Sequence, residues 1–393
     1  MCLRYASFAL RLNLRGAICH RLLMRPFKLP CPFVCRFLFA ALVAHGCAAQ
    51  AQEAPHPEAA AGESCGAKPG VRALKQYPDV YNLYFENDLF TGSDNNYTNG
   101  VKLSWISANL EDYVNDPCLP HWVRQLNHYS EWLQPGAFDA RNMVVAFGQA
   151  MYTPDDPKRR DVIKDDRPYA GWLYMGLAYN ARTENRMDTT EIDIGVVGPA
   201  SLARQSQDFI HDLRGFDRFE GWGNQLHDEL GLQFVRERKN RIYRYAAADA
   251  PQIDAITHYG YSLGNVRTYL NAGAEMRIGS FLPNDFGVSP IRPAGDSNAP
   301  LSSNATRRMA QSGLYGFVSF DVRAVAHDIF LDGNTFADSH KVDKKYFVGA
   351  MAAGIAWQWP GGKITYAQYM SSKEFRTQKD THSFGSVTLS LEY

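Results

Sequence analysis

The amino-acid sequence predicts an all-β fold, a 12-stranded antiparallel transmembrane β-barrel with a short helix near the extracellular rim. Three observations lead to this prediction. From residue 79 onward apolar residues recur with a period of two, which is the period of a strand rather than a helix. Twelve segments share this period, and a closed bacterial barrel needs an even number. The chain ends on "GSVTLSLEY", which alternates apolar with polar residues and finishes on an aromatic residue.

The N-terminal segment is typical of a signal peptide. Arg25, Lys28 and Arg36 precede the apolar stretch "FLFAALVA", and "CAAQAQEA" offers a cleavage site near Ala51. We therefore divide the chain into a signal peptide (1–51, with Met24 as a possible true start), a disordered leader (52–78) and a barrel domain (79–393). Cys65 and Cys118 would remain after export. Whether they pair is left open, because two cysteines carry no framework.

Bulk composition narrows the partners. The chain has 41 basic and 41 acidic residues, so its zero formal charge gives no support for nucleic acid as a partner. After residue 60 there is no run of about 18 apolar residues, so we expect no transmembrane helix in the exported part. A soluble β-sandwich or barrel is the competing interpretation. The signal peptide, the aromatic C-terminus and the 21 Tyr, 22 Phe and 7 Trp favour the membrane.

The candidate strands follow the alternating segments in order. They span residues 79–88, 98–109, 143–154, 171–182, 190–199, 230–243, 253–265, 267–280, 312–330, 346–359, 363–375 and 383–393. "QWPGGKITY" and "SLGNVRTY" supply short turns, whereas residues 110–142 and 281–311 are predicted as long loops. Many segments exceed the ~10 residues that cross a bilayer, so we expect the barrel to project beyond it. Twelve strands favour a narrow or plugged interior over a wide pore.

One segment breaks the strand pattern. "SLARQSQDFIHDLRG" carries apolar residues at helical spacing, namely Leu202, Phe209, Ile210 and Leu213. Ser201 is suited to cap the start of this helix and Gly215 to end it. Gln207 and His211 are four residues apart and therefore share one face. We expect a short helix at the barrel rim that carries an amide and an imidazole side by side.

Polar residues crowd the tip of the first predicted hairpin, "YFENDLFTGSDNNYTNGVKLSW". Strand alternation brings Asp88 and Thr98 to one side and sends Asn87 to the other. Asn87 and Asp88 can therefore serve one site only if the strand bends or ends there. Oxygen ligands of this kind suit a hard cation such as calcium. The spacing is not that of an EF-hand loop, and a solvated loop is the alternative.

His211 is the best candidate for a general base, because an imidazole accepts a proton near neutral pH. His227, in "NQLHDE", is the rival, and spacing alone does not choose between them. "DPKRR" places three cations together, which suits either phosphate recognition or a solvated loop. No G-x-S-x-G elbow occurs, so a serine nucleophile on an α/β-hydrolase scaffold is unsupported.

Taken together, these motifs resemble the outer-membrane lipid A deacylase family, the LpxR-like 3′-O-deacylases. The matching pieces run in order through most of the chain after residue 79: "END" with "YTNG" (86–88, 97–100), "YTPDDPKRR" (152–160), "DDRPYAG" (165–171), "DIGVVGP" (193–199), "QDFIHDLRG" (207–215), "FLDGNTF" (330–336), "VDKKY" (342–346) and "KEFRTQ" (373–378). Each piece alone is weak, whereas the set is specific.

The resemblance implies a twelve-stranded barrel whose site lies near the extracellular end, between the wall and a short helix. It implies a calcium-dependent hydrolase that removes the 3′-linked acyloxyacyl group of lipid A in the bacterial outer membrane. We expect a monomer with lipopolysaccharide as substrate. An outer-membrane phospholipase and a non-catalytic barrel, such as a channel, adhesin or structural protein, are the alternatives.

The resemblance also assigns roles residue by residue. His211 would activate a water, with Gln207 one turn before it and Asp217 in position to orient the imidazole. The H-x-x-x-G spacing to Gly215 selects His211 over His227. The expected calcium ligands are Asn87, Asp88 and Thr98, and the expected lipid A phosphate ligands are Lys158 and Arg159, either of which Arg160 could replace.

Overall fold

The computed structural model describes residues 79–88, 96–110, 112–116, 119–136, 138–247, 250–288 and 312–392, without the side chains of residues 96 and 98. The predicted signal peptide and leader, together with Cys65 and Cys118, lie outside the described residues. Twelve antiparallel strands close into a barrel in which each strand pairs with its sequence neighbours and β1 pairs with β12. The strands are β1 Val80–Asn87, β2 Asn96–Ile106, β3 Ala140–Thr153, β4 Ala170–Arg182, β5 Arg186–Val197, β6 Glu229–Tyr245, β7 Gln252–Gly264, β8 Arg267–Gly279, β9 Gly313–Asp328, β10 Phe347–Trp359, β11 Gly362–Ser371 and β12 His382–Glu392.

The period-two pattern of the sequence becomes an inner and an outer face. In β1, Asn82 and Tyr84 are buried inside, whereas Tyr81 and Leu83 are exposed outside. The same alternation leaves an apolar belt on the outer wall, which includes Leu103, Phe147, Met175, Ile194, Leu270, Val322 and Ile355. An outer face that is apolar and a polar interior are the mark of a membrane-spanning barrel. Within the described ranges, no helix is long and apolar enough to span a bilayer.

The predicted strand count is confirmed, and the differences lie at strand ends and in one connection. β3 begins at Ala140 and β5 at Arg186, earlier than the sequence indicates. The connection from β2 to β3, predicted as a long loop, contains helix α1 (His121–Tyr129) and a 3₁₀ turn, Glu131–Leu133. That part of the loop prediction was therefore wrong.

Charged side chains fill the interior. Arg277 donates to Asp254 over 2.8 Å and also bonds Asp285, which accepts a further bond from Lys363 over 2.7 Å. All four are buried, and Asp285 reaches the lumen from the connection between β8 and β9. At the opposite end helix α3 (Ile329–Asp332) places the buried Phe330 against Tyr152, with ring centroids 4.2 Å apart. Side chains from the connections at both ends thus enter the lumen, which favours the narrow or plugged interior that the strand number indicates.

Helix α2 (Ala203–Arg214) is the predicted rim helix. Gly215 ends it in the left-handed region, with φ 72°, as expected of a glycine at this position. The predicted cap at Ser201 was wrong. Leu202 occupies the cap position with φ 59°, and the Ser201 hydroxyl instead donates to the carbonyl of Gly198 over 2.6 Å.

Candidate functional site

Four residues in register form a row across the outer wall at the rim. Asn87 on β1 pairs with Asn99 on β2, Asn99 with Met151 on β3, and Met151 with Gly171 on β4. They have the parity of the exposed belt residues on the same strands, so they point away from the lumen. Asn87, Asn99 and Met151 are nevertheless buried. The outer face is therefore covered here, unlike the belt.

Helix α2 and the turn before it cover part of this row. A Cβ on Gly171 would lie 2.0 Å from Ser201 Oγ and 2.3 Å from Ala203 Cβ, so the absence of a side chain permits the close approach. Gln149, also outward on β3, donates from Nε2 to the Ser201 carbonyl over 2.6 Å. Met151 packs with Ala203 beneath the helix. These contacts hold α2 against the outside of β3 and β4.

His211 lies on the buried side of α2 and is 3 % exposed. Its Nδ1 is 2.6 Å from the main-chain carbonyl of Asp217. Because a carbonyl only accepts, Nδ1 is the donor in this contact, and in the corresponding tautomer Nε2 is the nitrogen that can accept a proton. The rings of Phe216 and Phe219 stand edge-on to the imidazole, at 6.0 and 5.6 Å between centroids. Asp217 thus contacts the imidazole through its main chain, while the residue itself is exposed.

Gln207 faces the wall one turn before His211, as predicted from their spacing, and is 2 % exposed. Its Oε1 accepts a hydrogen bond from Trp222 Nε1 over 2.7 Å. Its Nε2 is buried and has no hydrogen-bond partner among the described residues. Trp222 itself packs against Tyr169, with ring centroids 5.0 Å apart. The sequence offers no motif that marks Trp222, so its contact with Gln207 was not predicted.

The sequence analysis required the strand to bend or end near Asn87 and Asp88 if both are to serve one site, and the first hairpin meets this condition. β1 ends at Asn87, so Asp88 lies beyond the strand ladder, where alternation no longer fixes its direction. On β2 the register shifts between Tyr97 and Asn99, which makes Thr98 the extra residue of a bulge. Asn87 and Asp88 are both buried. The side chain of Thr98 lies outside the described part of the structure.

Asn99 adds a group that the sequence analysis did not select. It is 2 % exposed, and neither Oδ1 nor Nδ2 has a hydrogen-bond partner among the described residues. Burying an amide without partners costs about 1–3 kcal/mol, which a ligand at this position would offset. Asn99 is the ladder partner of Asn87. This donor set of amides and one carboxylate fits calcium, which takes oxygen ligands.

Across the described ranges, no three or more His, Cys, Asp and Glu side chains come together in a group that could hold a metal ion. A cation at the hairpin would depend on amide, hydroxyl and main-chain oxygens around Asp88.

The basic segment Lys158–Arg160 is exposed on the connection between β3 and β4. It lies next to the segment that follows α2, because Glu220 N donates to the Pro157 carbonyl over 2.8 Å. Hydrogen bonds from Arg160 lower the pKa of Glu220, and hydrogen bonds from Arg159 lower that of Asp161. Lys158 has no ion-pair partner within the described ranges. The geometry thus brings the basic segment beside the segment that follows α2, and Lys158 is the cation in it without an ion pair to a described residue.

Arginine also fixes a carboxylate next to the candidate base. Hydrogen bonds from Arg218 lower the pKa of Asp212, which keeps this exposed carboxylate ionised. The rival His227 is exposed and donates its main-chain N–H to Asn334 Oδ1 over 2.9 Å. No contact in the described structure joins His227 to the covered row.

A cavity of about 130 Å³ lies in the lumen, on the other side of the wall. Its lining includes Glu86, Tyr97, Lys239 and Glu275, and it does not include His211 or Asp88. The candidate site is therefore defined by the packing of α2 on the outer wall and not by this cavity.

The sequence profile of the family described as "Outer membrane protein LpxR" matches residues 37–393. The chain belongs to the LpxR family of outer membrane proteins. It is accordingly a protein of the bacterial outer membrane. The competing prediction of a soluble β-protein was wrong.

One solved structure of the same family supports this fold, and other outer-membrane barrels match more weakly. LpxR from Salmonella typhimurium matches with a TM-score of 0.61 and 18 % identity, covering 80 % of this chain and 100 % of that chain. The β-domain of the Bordetella autotransporter BrkA gives a TM-score of 0.38 at 7 % identity, over 81 % of this chain and 99 % of that one. The P. putida toluene transporter TodX gives 0.31 at 11 % identity, over 83 % and 93 %. No curated protein matches the sequence.

Proposed function

We propose that the protein is a calcium-dependent lipid A 3′-O-deacylase, which hydrolyses the 3′-linked acyloxyacyl ester in the outer membrane. The observation that carries the proposal is the helix-borne His211, whose Nε2 is left basic by the bond from Nδ1 to the Asp217 carbonyl. Family membership supports the substrate class, since the motifs that carry the resemblance include both this helix and the first hairpin.

The position of α2 on the outside of the wall suits a lipid substrate. A molecule of the outer leaflet reaches the outer face of a barrel laterally, without entering the lumen. The covered row of Asn87, Asn99 and Met151 lies above the lipid-facing belt on the same face. An ester bond held at this height stays within reach of the membrane interface while its acyl chains remain in the bilayer.

In this proposal His211 Nε2 takes a proton from a water molecule as the water oxygen bonds to the ester carbonyl carbon. The bond from that carbon to the 3′ oxygen then breaks, and the imidazolium gives its proton to the released 3′ oxygen. A positioned general base contributes about 10²–10⁴-fold to such a step. The Asp217 carbonyl holds the tautomer, and the edges of Phe216 and Phe219 restrict the ring. Gln207, held by Trp222, keeps its Nε2 as a donor on the same face. No nucleophilic serine is required.

Asn87, Asp88, Thr98 and Asn99 are the residues that would hold calcium. When bound, a divalent cation polarises an ester carbonyl and stabilises the negative charge that develops on its oxygen. The amide of Asn99 supports this assignment, because its buried oxygen has no hydrogen-bond partner among the described residues and a cation at this position would supply one.

Lys158, Arg159 and Arg160 would recognise a phosphate of lipid A. Arg159 is 2.5 Å from Asp161 and Arg160 is paired with Glu220, so these two must exchange partners to bind an anion. Lys158 needs no such exchange. We therefore assign the first phosphate contact to Lys158.

Replacement of His211 tests the proposed function. We expect His211→Ala to lower deacylation by about 10²-fold or more, in line with the loss of a general base. The measurement is mass spectrometry of lipid A from a host that lacks such an enzyme, with folding of the barrel checked in parallel. His227→Ala is the matched control and should retain activity. Undiminished deacylation by a folded His211→Ala protein would move the base elsewhere, and release of acyl chains from glycerophospholipid alone would favour a phospholipase.

Removal of calcium tests the metal. Addition of EGTA should stop deacylation by the purified protein in vesicles that contain lipid A, and excess calcium should restore it. The barrel itself should survive, because its strands are held by ladder hydrogen bonds that do not involve the hairpin oxygens. Full activity in EGTA would remove the cation from the mechanism.

A further inference from the structure

Helix α1 carries an exposed aromatic face that the proposed function does not use. Trp122, Leu126 and Tyr129 follow each other at i, i+4 and i+7, and Trp132 continues the face in the next turn. Their exposed fractions are 69, 44, 81 and 71 %. Large apolar patches of this kind are uncommon on surfaces that face water and mark an interaction site.

A neighbouring face of the α1 segment, turned about 100° from the aromatic face, is fixed to the outer wall of the barrel. Tyr179 on β4 donates to Asn127 Oδ1 over 2.8 Å, and its hydroxyl lies 2.7 Å from Ser130 Oγ. Asn127 Nδ2 donates to the Tyr113 carbonyl over 2.5 Å. Leu133 is buried in the same cluster as Tyr113 and Tyr179. These contacts fix the orientation of α1 on the wall and therefore the direction of its aromatic face.

The anchoring point lies directly below the apolar belt. Tyr179 pairs with Met143, and the next outward pairs along β3 and β4 are Val145 with Leu177 and Phe147 with Met175. Each step along the wall is two residues, or ~6.8 Å. Met143 and Tyr179 are covered by the α1 segment, whereas Phe147 and Met175 are exposed. The aromatic face of α1 therefore continues the lipid-facing surface of the barrel.

A third face of α1 is polar. His121, Gln125 and His128 precede the aromatic positions by one residue each, which turns them about 100° around the helix axis. All three are exposed. A helix with an aromatic face on one side and a polar face on the next is suited to lie along a membrane–water boundary.

We propose that α1 is an interfacial anchor, whose aromatic face rests in the headgroup region of the bilayer at the barrel end that carries Val80 and Glu392. The occupant is phospholipid, since the face is continuous with the lipid-facing belt and Trp and Tyr favour this boundary. The anchor sets the depth and tilt of the barrel from the end opposite α2. Its polar face stays in water.

Spin labels measure this placement. Single cysteines are introduced at Leu126→Cys and Tyr129→Cys on the aromatic face, and at Gln125→Cys and His128→Cys on the polar face. The background carries serine in place of Cys65 and Cys118, and Phe147→Cys serves as the belt reference. Labelled protein is reconstituted in phosphatidylcholine vesicles, and collisions with oxygen and with a water-soluble nickel chelate are compared. We expect positions 126 and 129 to favour oxygen, as position 147 does, and positions 125 and 128 to favour the chelate.

A second measurement keeps the native cysteines. Lipids brominated near the headgroup should quench tryptophan emission of the wild-type chain more than that of a Trp122→Phe, Trp132→Phe double variant. Chelate-accessible labels at 126 and 129, with equal quenching of both proteins, would overturn the anchor. Spin–spin broadening at 126 and 129 that vanishes on dilution with unlabelled protein would assign the face to a second copy of the chain and likewise overturn it.

Discussion

Asn99 shows how a single side chain reports on a site. Its amide is enclosed beside Asn87, yet no donor or acceptor in the described structure satisfies it. A folded protein keeps such a group when a ligand or a reaction needs it, because its burial costs stability. The same reasoning applies to Gln207 Nε2 on the facing helix. Asn99 and Gln207 are therefore the two buried amides that we select as reporters of a bound ligand.

We predict opposite effects of Asn99→Ala on stability and on activity. Without calcium the variant should unfold at the same temperature as the wild type or a higher one, because the change removes an amide whose unsatisfied burial costs about 1–3 kcal/mol. Deacylation should require more calcium for half-maximal rate. Thermal unfolding in EGTA and a calcium titration of activity provide the two measurements.

Asn115→Ala is the matched control for this prediction. Asn115 is an exposed turn residue at the other end of the barrel, so its replacement should leave the calcium titration unchanged. An Asn99→Ala protein with the calcium dependence of the wild type would exclude Asn99 from the cation site.

For single residues, the sequence predicted those features that follow from a local spacing. The four-residue spacing of Gln207 and His211 gave their shared face, and the glycine at 215 gave the end of the helix. It could not reach contacts made across the fold. The Asp217 carbonyl meets His211 only because the chain turns back after Gly215, and Trp222 meets Gln207 fifteen positions away. Neither contact could be predicted from the periodicity of the neighbouring residues.

Among the elements, α2 depends on one small residue of the wall. Gly171 leaves room for Ser201 and Ala203, so the helix approaches β4 more closely than any side chain would allow. The approach fixes how far His211 and Gln207 stand from the covered row. Glycine weakens a strand, but at position 171 the missing side chain is what allows the helix to pack against the strand.

We predict that Gly171→Ala displaces α2 and lowers deacylation while the barrel still forms. The new Cβ would lie 2.0 Å from Ser201 Oγ and 2.3 Å from Ala203 Cβ, so the helix must move outward. A displacement of about 1 Å in a catalytic arrangement can cost about 10²-fold in rate. The rate is measured on lipid A in vesicles, with barrel folding monitored separately.

Gly349→Ala is the matched control, because a Cβ on this β10 residue meets nothing within 4 Å. It should retain the wild-type rate. Equal rates for both variants would mean that the position of α2 does not set the geometry of the reaction.

The elements also show why strands were easier to predict than α1. Segments with a period of two predict an inner and an outer face directly, and for this reason the twelve strands could be counted from the sequence. In "HWVRQLNHY" the large apolar residues point away from the barrel and a buried Asn127 faces it, so the pattern did not indicate a core helix. Pro120 precedes the helix and no side chain caps its start. Tertiary contacts with Tyr179 stabilise what local signals do not predict.

The inner and outer faces of the barrel, and its two ends, carry different features. The outer wall carries the candidate site at one rim and the proposed anchor at the other, while the interior is given to buried ion pairs. Breaking such a pair by removing one partner typically costs about 3–5 kcal/mol, so the interior is a structural filling and not a flexible gate. The chemistry that we propose for the outer face then requires no transport through the lumen.

The filled lumen leads to a prediction about the alternative interpretation of the barrel as a channel. From one end Asp285 and Phe286 are buried in the interior, and from the other Phe330 stacks on Tyr152 with ring centroids 4.2 Å apart. Ions would have to cross both plugs and the ion-paired layer between them. We therefore expect no steady conductance steps when the purified protein is inserted into planar bilayers, under conditions in which a porin prepared in the same way conducts. Steady, voltage-tolerant steps would show that the plugs open, and the barrel would then have to be considered as a channel whose covered outer row serves another purpose.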